Sequence, residues 1–196
     1  MCGRYYIDDS TGREIEKIVR QVSERLAQMR KSGDVVPTQG APVIIGRNEE
    51  FAEELFVWGF PGIQKKGVIF NARSETALEK RMFSESVRKR RCVIPAAKFY
   101  EWDSDKNKVT FMREDGKVLY LAGFYGDFEG EERFVILTAE ADEFVKDVHN
   151  RMPLILEEDE LRDWIFDGEK AREMLRPKKI PLKKSGGYVQ QTLDLW

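Results

Sequence analysis

The chain has 196 residues, of which 41% are hydrophobic and 35% charged, with a net charge of −2. That length suits one domain with one sizeable core, and the balance excludes a disordered chain. No stretch approaches the roughly 20 apolar residues needed to span a bilayer, and nothing advertises a uniformly basic, nucleic-acid-coating surface, although a local basic patch suffices to hold phosphate. The two cysteines, Cys2 and Cys92, and the single histidine, His149, give neither a disulfide framework nor a zinc-ligand cluster. No metal or cofactor is expected, and a reducing, cytoplasmic compartment is the simplest home.

The chain opens Met1-Cys2-Gly3-Arg4. Charges at Arg4, Asp8 and Asp9 with no apolar run after them do not make a targeting peptide. A small residue after Met1 permits removal of that Met. Cys2 would then carry an α-amine and a thiol on one carbon skeleton, with ordinary pKa values of about 8 and about 8.5. An amine adds to an aldehyde to give a Schiff base, and the neighbouring thiolate can close on the same carbon as a thiazolidine. The alternative is that Cys2 is an accident of position.

A helix follows, with Ile15, Ile18, Val19, Val22, Leu26 and Met29 on one face, Thr11-x-x-Glu14 as its capping box and Ser32-Gly33 as its stop. From Pro42 the pattern turns to strands, at Pro42–Arg47, Glu54–Gly59, Gly67–Phe70, Arg91–Ala96 and Phe99–Trp102. Val109–Arg113 and Lys117–Gly123 read as a hairpin around Asp115-Gly116. Phe134–Ala139 and Leu154–Leu156 are further strands. Helices are expected over Thr76–Arg81, Ser84–Arg90, Asp142–Val148, Glu157–Phe166 and Glu169–Leu175. The stretch after Lys178 reads as a looser tail. Short strands with interspersed helices predict an α+β fold, a single compact domain around a β-barrel-like mixed sheet with peripheral helices.

Four segments carry polar groups where a plain core would not want them. In Cys2-Gly3-Arg4, Arg4 offers a planar fork suited to phosphate. Asn71-Ala72-Arg73-Ser74-Glu75-Thr76 follows an apolar strand and is either a pocket rim or an ordinary junction, and Arg73 can bind phosphate or pair with Glu75. In Phe99-Tyr100-Glu101-Trp102, alternation puts Phe99 and Glu101 on one side and Tyr100 and Trp102 on the other. Glu101 is either solvated or partly desolvated, and desolvation would suit it to acid/base work. His149-Asn150-Arg151-Met152-Pro153 holds the one side chain that moves protons near pH 7 at its ordinary value. Arg81 with Arg88-Lys89-Arg90-Arg91 is a basic patch or a solvated helix end.

Taken together, these segments resemble the SOS-response-associated peptidase family, also called abasic-site processing proteins. The order is Cys2-Gly3-Arg4, Trp58-Gly59, Asn71 to Thr76, Arg81-Met82-Phe83, Arg91 to Ala96, Phe99 to Trp102, Thr138 and His149 to Pro153. The likeness runs from residue 2 to about residue 165 of one domain over 1–196, with a divergent tail from about 177. It implies a covalent crosslink from Cys2, once Met1 is lost, to the ring-opened aldehyde of an abasic site in single-stranded DNA. It implies that Asn71 holds the N-terminus and a sugar oxygen, that Glu101 is the acid/base, and that His149 assists strand elimination or crosslink reversal. Arg4, Arg73, Arg81 and Arg151 would meet phosphates or line the site, and Trp58 and Trp102 would stack on bases. A monomer, nucleoid-associated when bound to DNA, is expected, with possible autoproteolysis. The competing readings are an N-terminal-nucleophile cysteine hydrolase acting on amides and a non-catalytic single-strand binding module.

Overall fold

Two tight turns start the architecture. Asn48-Glu49, with φ of 50° and 63°, joins β3 (Gly40–Arg47) to β4 (Glu50–Trp58). Glu129-Gly130, with φ of 60° and 86°, joins β11 (Leu119–Phe128) to β12 (Glu131–Glu140). Positive φ at both central residues matches the twist of a two-residue hairpin. The computed structural model describes residues 2–19, 32–62 and 66–186.

These hairpins and β8 (Arg91–Ala96) make a closed five-stranded barrel in the order β4-β3-β8-β11-β12. Closure comes from a parallel pairing of β12 with β4, at Arg133↔Val57 and Phe134↔Trp58. A second sheet runs β15-β10-β9-β1-β2, built from β1 (Tyr5–Ile7), β2 (Gly33–Val35), β9 (Lys98–Trp102), β10 (Lys108–Arg113) and β15 (Leu182–Gly186). A small ribbon, β5 (Phe60–Pro61) with β6 (Val68–Ile69), leads into β7 (Asn71–Arg73), which lies parallel to β12.

The barrel strands are buried on both faces. Val43, Ile45, Phe56, Cys92, Ile94, Leu121 and Ile136 join the inner face of the second sheet, Tyr5, Phe99, Val109 and Phe111, in one packed cluster. The alternate positions Ile44, Val93, Ala122, Val135 and Leu137 pack in another cluster with residues of four helices. These are α1 (Asp9–Ile18), α2 (Ser84–Lys89), α4 (Leu161–Phe166) and α5 (Gly168–Glu173); α3 (Glu143–Lys146) lies with the first cluster through Val145.

The barrel opens at one point. Strands β11 and β12 pair as far as Gly123↔Ile136. Beyond it Leu154 enters, donating its N–H to Leu137 O at 2.9 Å while its carbonyl accepts from Ala122 N at 2.8 Å. Its flanks are β13 (Arg151–Pro153), paired to β12, and β14 (Ile155–Leu156), paired to β11. A Cβ at Gly123 would stand 2.7 Å from Val135 O and 2.5 Å from Ile94 Cδ1, so the fork has no room for a larger residue.

Several expectations are corrected. The helix cap is Asp8, whose carboxylate accepts from the Ser10 and Thr11 amides while Thr11 returns the box, so Thr11 is the third helical residue and not the cap. The Val22–Met29 part of the expected helix lies outside the described residues. Asp115-Gly116 joins no hairpin. The alternating β10 suits a one-sided sheet, whereas β11, buried at both phases over most of its length, needs the barrel, and the chain changes sheets at the turn. Thr76–Arg81 is a run of turns in which Thr76 O accepts from both Glu79 N and Lys80 N, too short to repay helix nucleation. The tail is ordered through Gly186 by pairing with β10; residues 187–196 lie outside the description.

Arg91 is likewise no part of a basic patch. It is 8% exposed, and its guanidinium donates to Val87 O at 3.2 Å, Ile165 O at 3.1 Å, Arg88 O and Trp164 O. It thereby caps the last-turn carbonyls of α2 and α4 at once, where a cation also meets the negative helix ends. Arg91→Met should cost about 3 kcal/mol or more in urea unfolding, because buried carbonyls lose their donor, while exposed Arg88→Ala should change stability by less than about 0.5 kcal/mol. Equal small effects would show that the cap contributes little.

Candidate active site

Strand β12 collects the site. Along one edge lie Trp58 beside Phe134, Asn71 beside Ile136 and Arg73 beside Thr138. Along the other lie Pro153 beside Thr138 and Arg151 beside Glu140. The Asn71–Thr76 and His149–Pro153 segments therefore meet across a single strand. Arg151 fastens them: its two terminal nitrogens donate to Glu75 Oε1 at 2.7 Å and Oε2 at 2.9 Å, and one also reaches Thr138 O. These bonds hold the Glu75 carboxyl below its ordinary value.

The second sheet supplies the other half. Tyr5 pairs with Phe99, and Tyr100 N donates to Arg4 O at 3.1 Å, so Cys2-Gly3-Arg4 runs alongside the end of β9. Asn71 Nδ2 donates to the Cys2 carbonyl at 2.7 Å. The Cys2 thiol donates to Arg4 O at 3.6 Å. Cys2 has no exposed surface; burial pushes its thiol well up, and the nearby Glu101 carboxylate adds to the shift. Glu101 faces inward with Phe99, as alternation predicts, and is 2% exposed. Burial pushes its carboxyl up to about 7 from the ordinary 4.5.

His149 stands at the C-terminal end of the α3 turn, with its amide donating to Val145 O at 3.0 Å. Val145 and Met152 share the packed cluster of Cys2, and Val148 packs against it. The Arg151 amide donates to His149 Nδ1 at 3.0 Å. The same nitrogen lies 3.2 Å from Arg151 O, so Nδ1 has a partner in either neutral tautomer. Burial pushes the imidazole below its ordinary value, and the Arg151 charge works in the same direction.

The expected nucleic-acid contacts divide. Arg73 and Arg81 are exposed and make no ion pair among the described residues. Arg4 is half-exposed, 3.1 Å from Asp34, and lies 5.8 Å from the ring centre of half-buried Trp102. One assignment is corrected. Trp58 is fully buried, donates Nε1–H to Phe70 O at 2.9 Å and packs among Tyr5, Phe70 and Phe134, so it has no face for a base. It belongs to the core. Arg151, bonded to Glu75 through both terminal nitrogens, joins two segments at the edge of the site. Asp34 carries no signal in the sequence, since its partner Arg4 lies 30 residues away. Among the described residues no cluster of His, Cys, Asp and Glu is arranged to hold a metal, and no helix is long and apolar enough to cross a membrane.

The chain is similar in sequence and fold to known proteins. The abasic site processing protein YoaM of Bacillus subtilis is 28% identical over 196 residues, covering 92% of this chain and 86% of its own length. The abasic site processing protein YedK of Escherichia coli is 28% identical over 199 residues, covering 92% and 88%. A crystal structure of a protein from Bacteroides thetaiotaomicron shares the fold, with a TM-score of 0.80 at 19% identity over 94% of this chain and 91% of that one. The family description SOS response associated peptidase (SRAP) matches residues 1–185, and this chain belongs to that family.

Proposed function

We propose that this protein captures abasic sites in single-stranded DNA by a covalent bond to Cys2. The observation that carries the reading is the pairing of Cys2 with two groups suited to aldehyde chemistry. Asn71 grips its carbonyl at 2.7 Å, and Glu101 beside it titrates at about 7. The relatives named as abasic site processing proteins supply the aldehyde.

The chemistry starts once the Met1–Cys2 peptide bond is cleaved, for which a processing aminopeptidase suffices. Protonated Glu101 gives its proton to the sugar ring oxygen as the abasic ring opens and takes up the proton that the anomeric hydroxyl releases. The neutral α-amine of Cys2 adds to the aldehyde carbon, and one of its protons passes to the new oxygen. The carbinolamine hydroxyl leaves as water with the proton of the same carboxyl, giving a protonated imine. Glu101, now a carboxylate, accepts the thiol proton, and sulfur adds to the imine carbon to close a thiazolidine. One aldehyde, one amine and one thiol become the ring and one water. Asn71 Oδ1, buried with no hydrogen-bond partner, is an acceptor suited to the new amine. His149, its ring held through Nδ1 by the Arg151 backbone, suits proton transfer to sugar oxygens during strand elimination or reversal. Exposed Arg73 and Arg81, with Arg4 and Trp102, suit the flanking phosphates and bases.

Wild-type protein should lack Met1 by intact mass and form a heat-resistant adduct with a single-stranded oligonucleotide carrying one abasic site. Cys2→Ala should form none. Cys2→Ser should give an adduct that survives heat only after borohydride reduction. Absence of a wild-type adduct, or its persistence in Cys2→Ala, would sink the reading.

The pH dependence follows from Glu101. Its proton is present below about 7 and lost above it, while the neutral amine grows up to its ordinary value of about 8, so the crosslinking rate should rise with pH to about 7, level off and fall above about 8, and Glu101→Gln should lose the falling limb and be slower by about a hundredfold. Stability has a definite sign too. The folded carboxyl titrates at about 7 and the unfolded one near 4.5, so the folded state binds more protons between them and stability falls as pH rises through that window. At pH 8 Glu101→Gln should therefore be the more stable protein by about 3 kcal/mol, with the gain vanishing below pH 4.5. A pH-independent stability difference would contradict the buried, raised carboxyl.

A further inference from the structure

The second sheet has an outer face that the reaction does not use. Its inner face is buried through Tyr5, Phe99, Glu101, Val109, Phe111 and Leu182. The alternate residues point the other way. Tyr6, Lys98 and Trp102 are half-buried there, and Lys108 and Lys183 are exposed.

These residues form a grid of rings and cations. Register places Tyr6 opposite Lys98 and Trp102 opposite Lys108. Lys98 Nζ lies over the Tyr6 ring at 4.2 Å, Lys108 Nζ over the Tyr100 ring at 4.5 Å, and the Arg4 guanidinium toward Trp102 at 5.8 Å. Same-face neighbours on one strand lie about 7 Å apart and those on adjacent strands about 5 Å, a pitch on which successive bases and phosphates of an extended strand can be matched. The acidic groups nearby are engaged. Asp34 pairs with Arg4 and accepts from the Tyr100 hydroxyl, and Asp103 is turned onto Asn107 within its own turn.

We propose that the outer face of the second sheet is a stacking platform for single-stranded DNA, continuing the strand from the Cys2 site past Trp102 and across Tyr6. Each lysine now over a ring can move to a phosphate while a base takes its place, and ring stacking with backbone charge contacts is how sequence-tolerant single-strand binders work. Charge complementarity and continuity with Arg4 and Trp102 favour this occupant over an acidic protein segment. From the proposed function it takes only that the substrate is a single strand.

The test is fluorescence anisotropy with a labelled, undamaged oligo-dT of about 20 nucleotides across a salt series. Lys98→Glu with Lys108→Glu should weaken binding at least about tenfold and, with two phosphate contacts gone, reduce the magnitude of the log–log salt slope by about 1.4. Tyr6→Leu should weaken binding about fivefold or more with little change in slope. All three substitutions lie on a surface, and thermal melts establish that each variant is folded. Adduct formation with an oligonucleotide of about 5 nucleotides centred on an abasic site should stay at the wild-type rate. If the wild type makes no adduct yet the variants still lose oligo-dT, the platform stands and the crosslinking reading falls. Unchanged affinity and slope in folded variants would overturn the platform, and so would a polyglutamate peptide that displaces oligo-dT at equal concentration.

Discussion

The two hydrogen bonds of Leu154 decide the rest of the molecule. By bonding to Leu137 on one side and Ala122 on the other, this residue holds apart two strands that are paired a step earlier at Gly123 and Ile136. The barrel therefore has a fork, and the fork is where the His149–Pro153 segment enters. Parallel pairing on the far edge of β12 brings Asn71–Arg73 to the same height. An unbroken β11–β12 ladder would leave no place for the His149–Pro153 segment, since that edge of β12 would already be paired. Gly123 at the apex is the local condition for this arrangement.

Around that fork the protein holds polar groups in an environment that disfavours them. Glu101 is 2% exposed and Asn71 leaves one amide oxygen unsatisfied. Burying the first costs stability, and the unmet oxygen of the second costs on the order of 1–3 kcal/mol. The aromatic cluster of Trp58, Tyr5, Phe70 and Phe134 and the double helix cap of Arg91 offset that cost elsewhere. A raised carboxyl suits acid/base chemistry, and burial is what raises this one. Burial of Glu101 is thus a property of the site as much as of the fold.

Much of this is legible in the residues. The alternation of Phe99 and Glu101 against Tyr100 and Trp102 gives the inward carboxylate directly, because a strand admits only two faces. Asn71 stands out as a polar group after an apolar strand, and His149 as the single histidine of the chain. Other features have no local signal. Tyr5–Ile7 and Gly33–Val35 are too short for any periodicity to register. Tryptophan is both a core residue and a stacking residue, so Trp58 cannot be placed from its neighbours. Arg91 follows three basic residues and looks like them; only the carbonyls of α2 and α4, one set more than 70 residues away, make it different. The turn at Asp115-Gly116 is real, but a turn does not say whether its two arms stay together.

The bond from Asn71 to the Cys2 carbonyl also has a bearing on synthesis. Asn71, Glu101 and His149 are made 69, 99 and 147 residues after Cys2. At about 5–20 residues per second, on the order of ten seconds separate Cys2 from the last of the groups around it. During that interval its thiol stands in water. Folding then withdraws it and places it among partners that the growing chain did not yet contain. The pocket thus closes around Cys2 late, and the speed with which the fork of the barrel assembles sets how long that thiol stays open to solution.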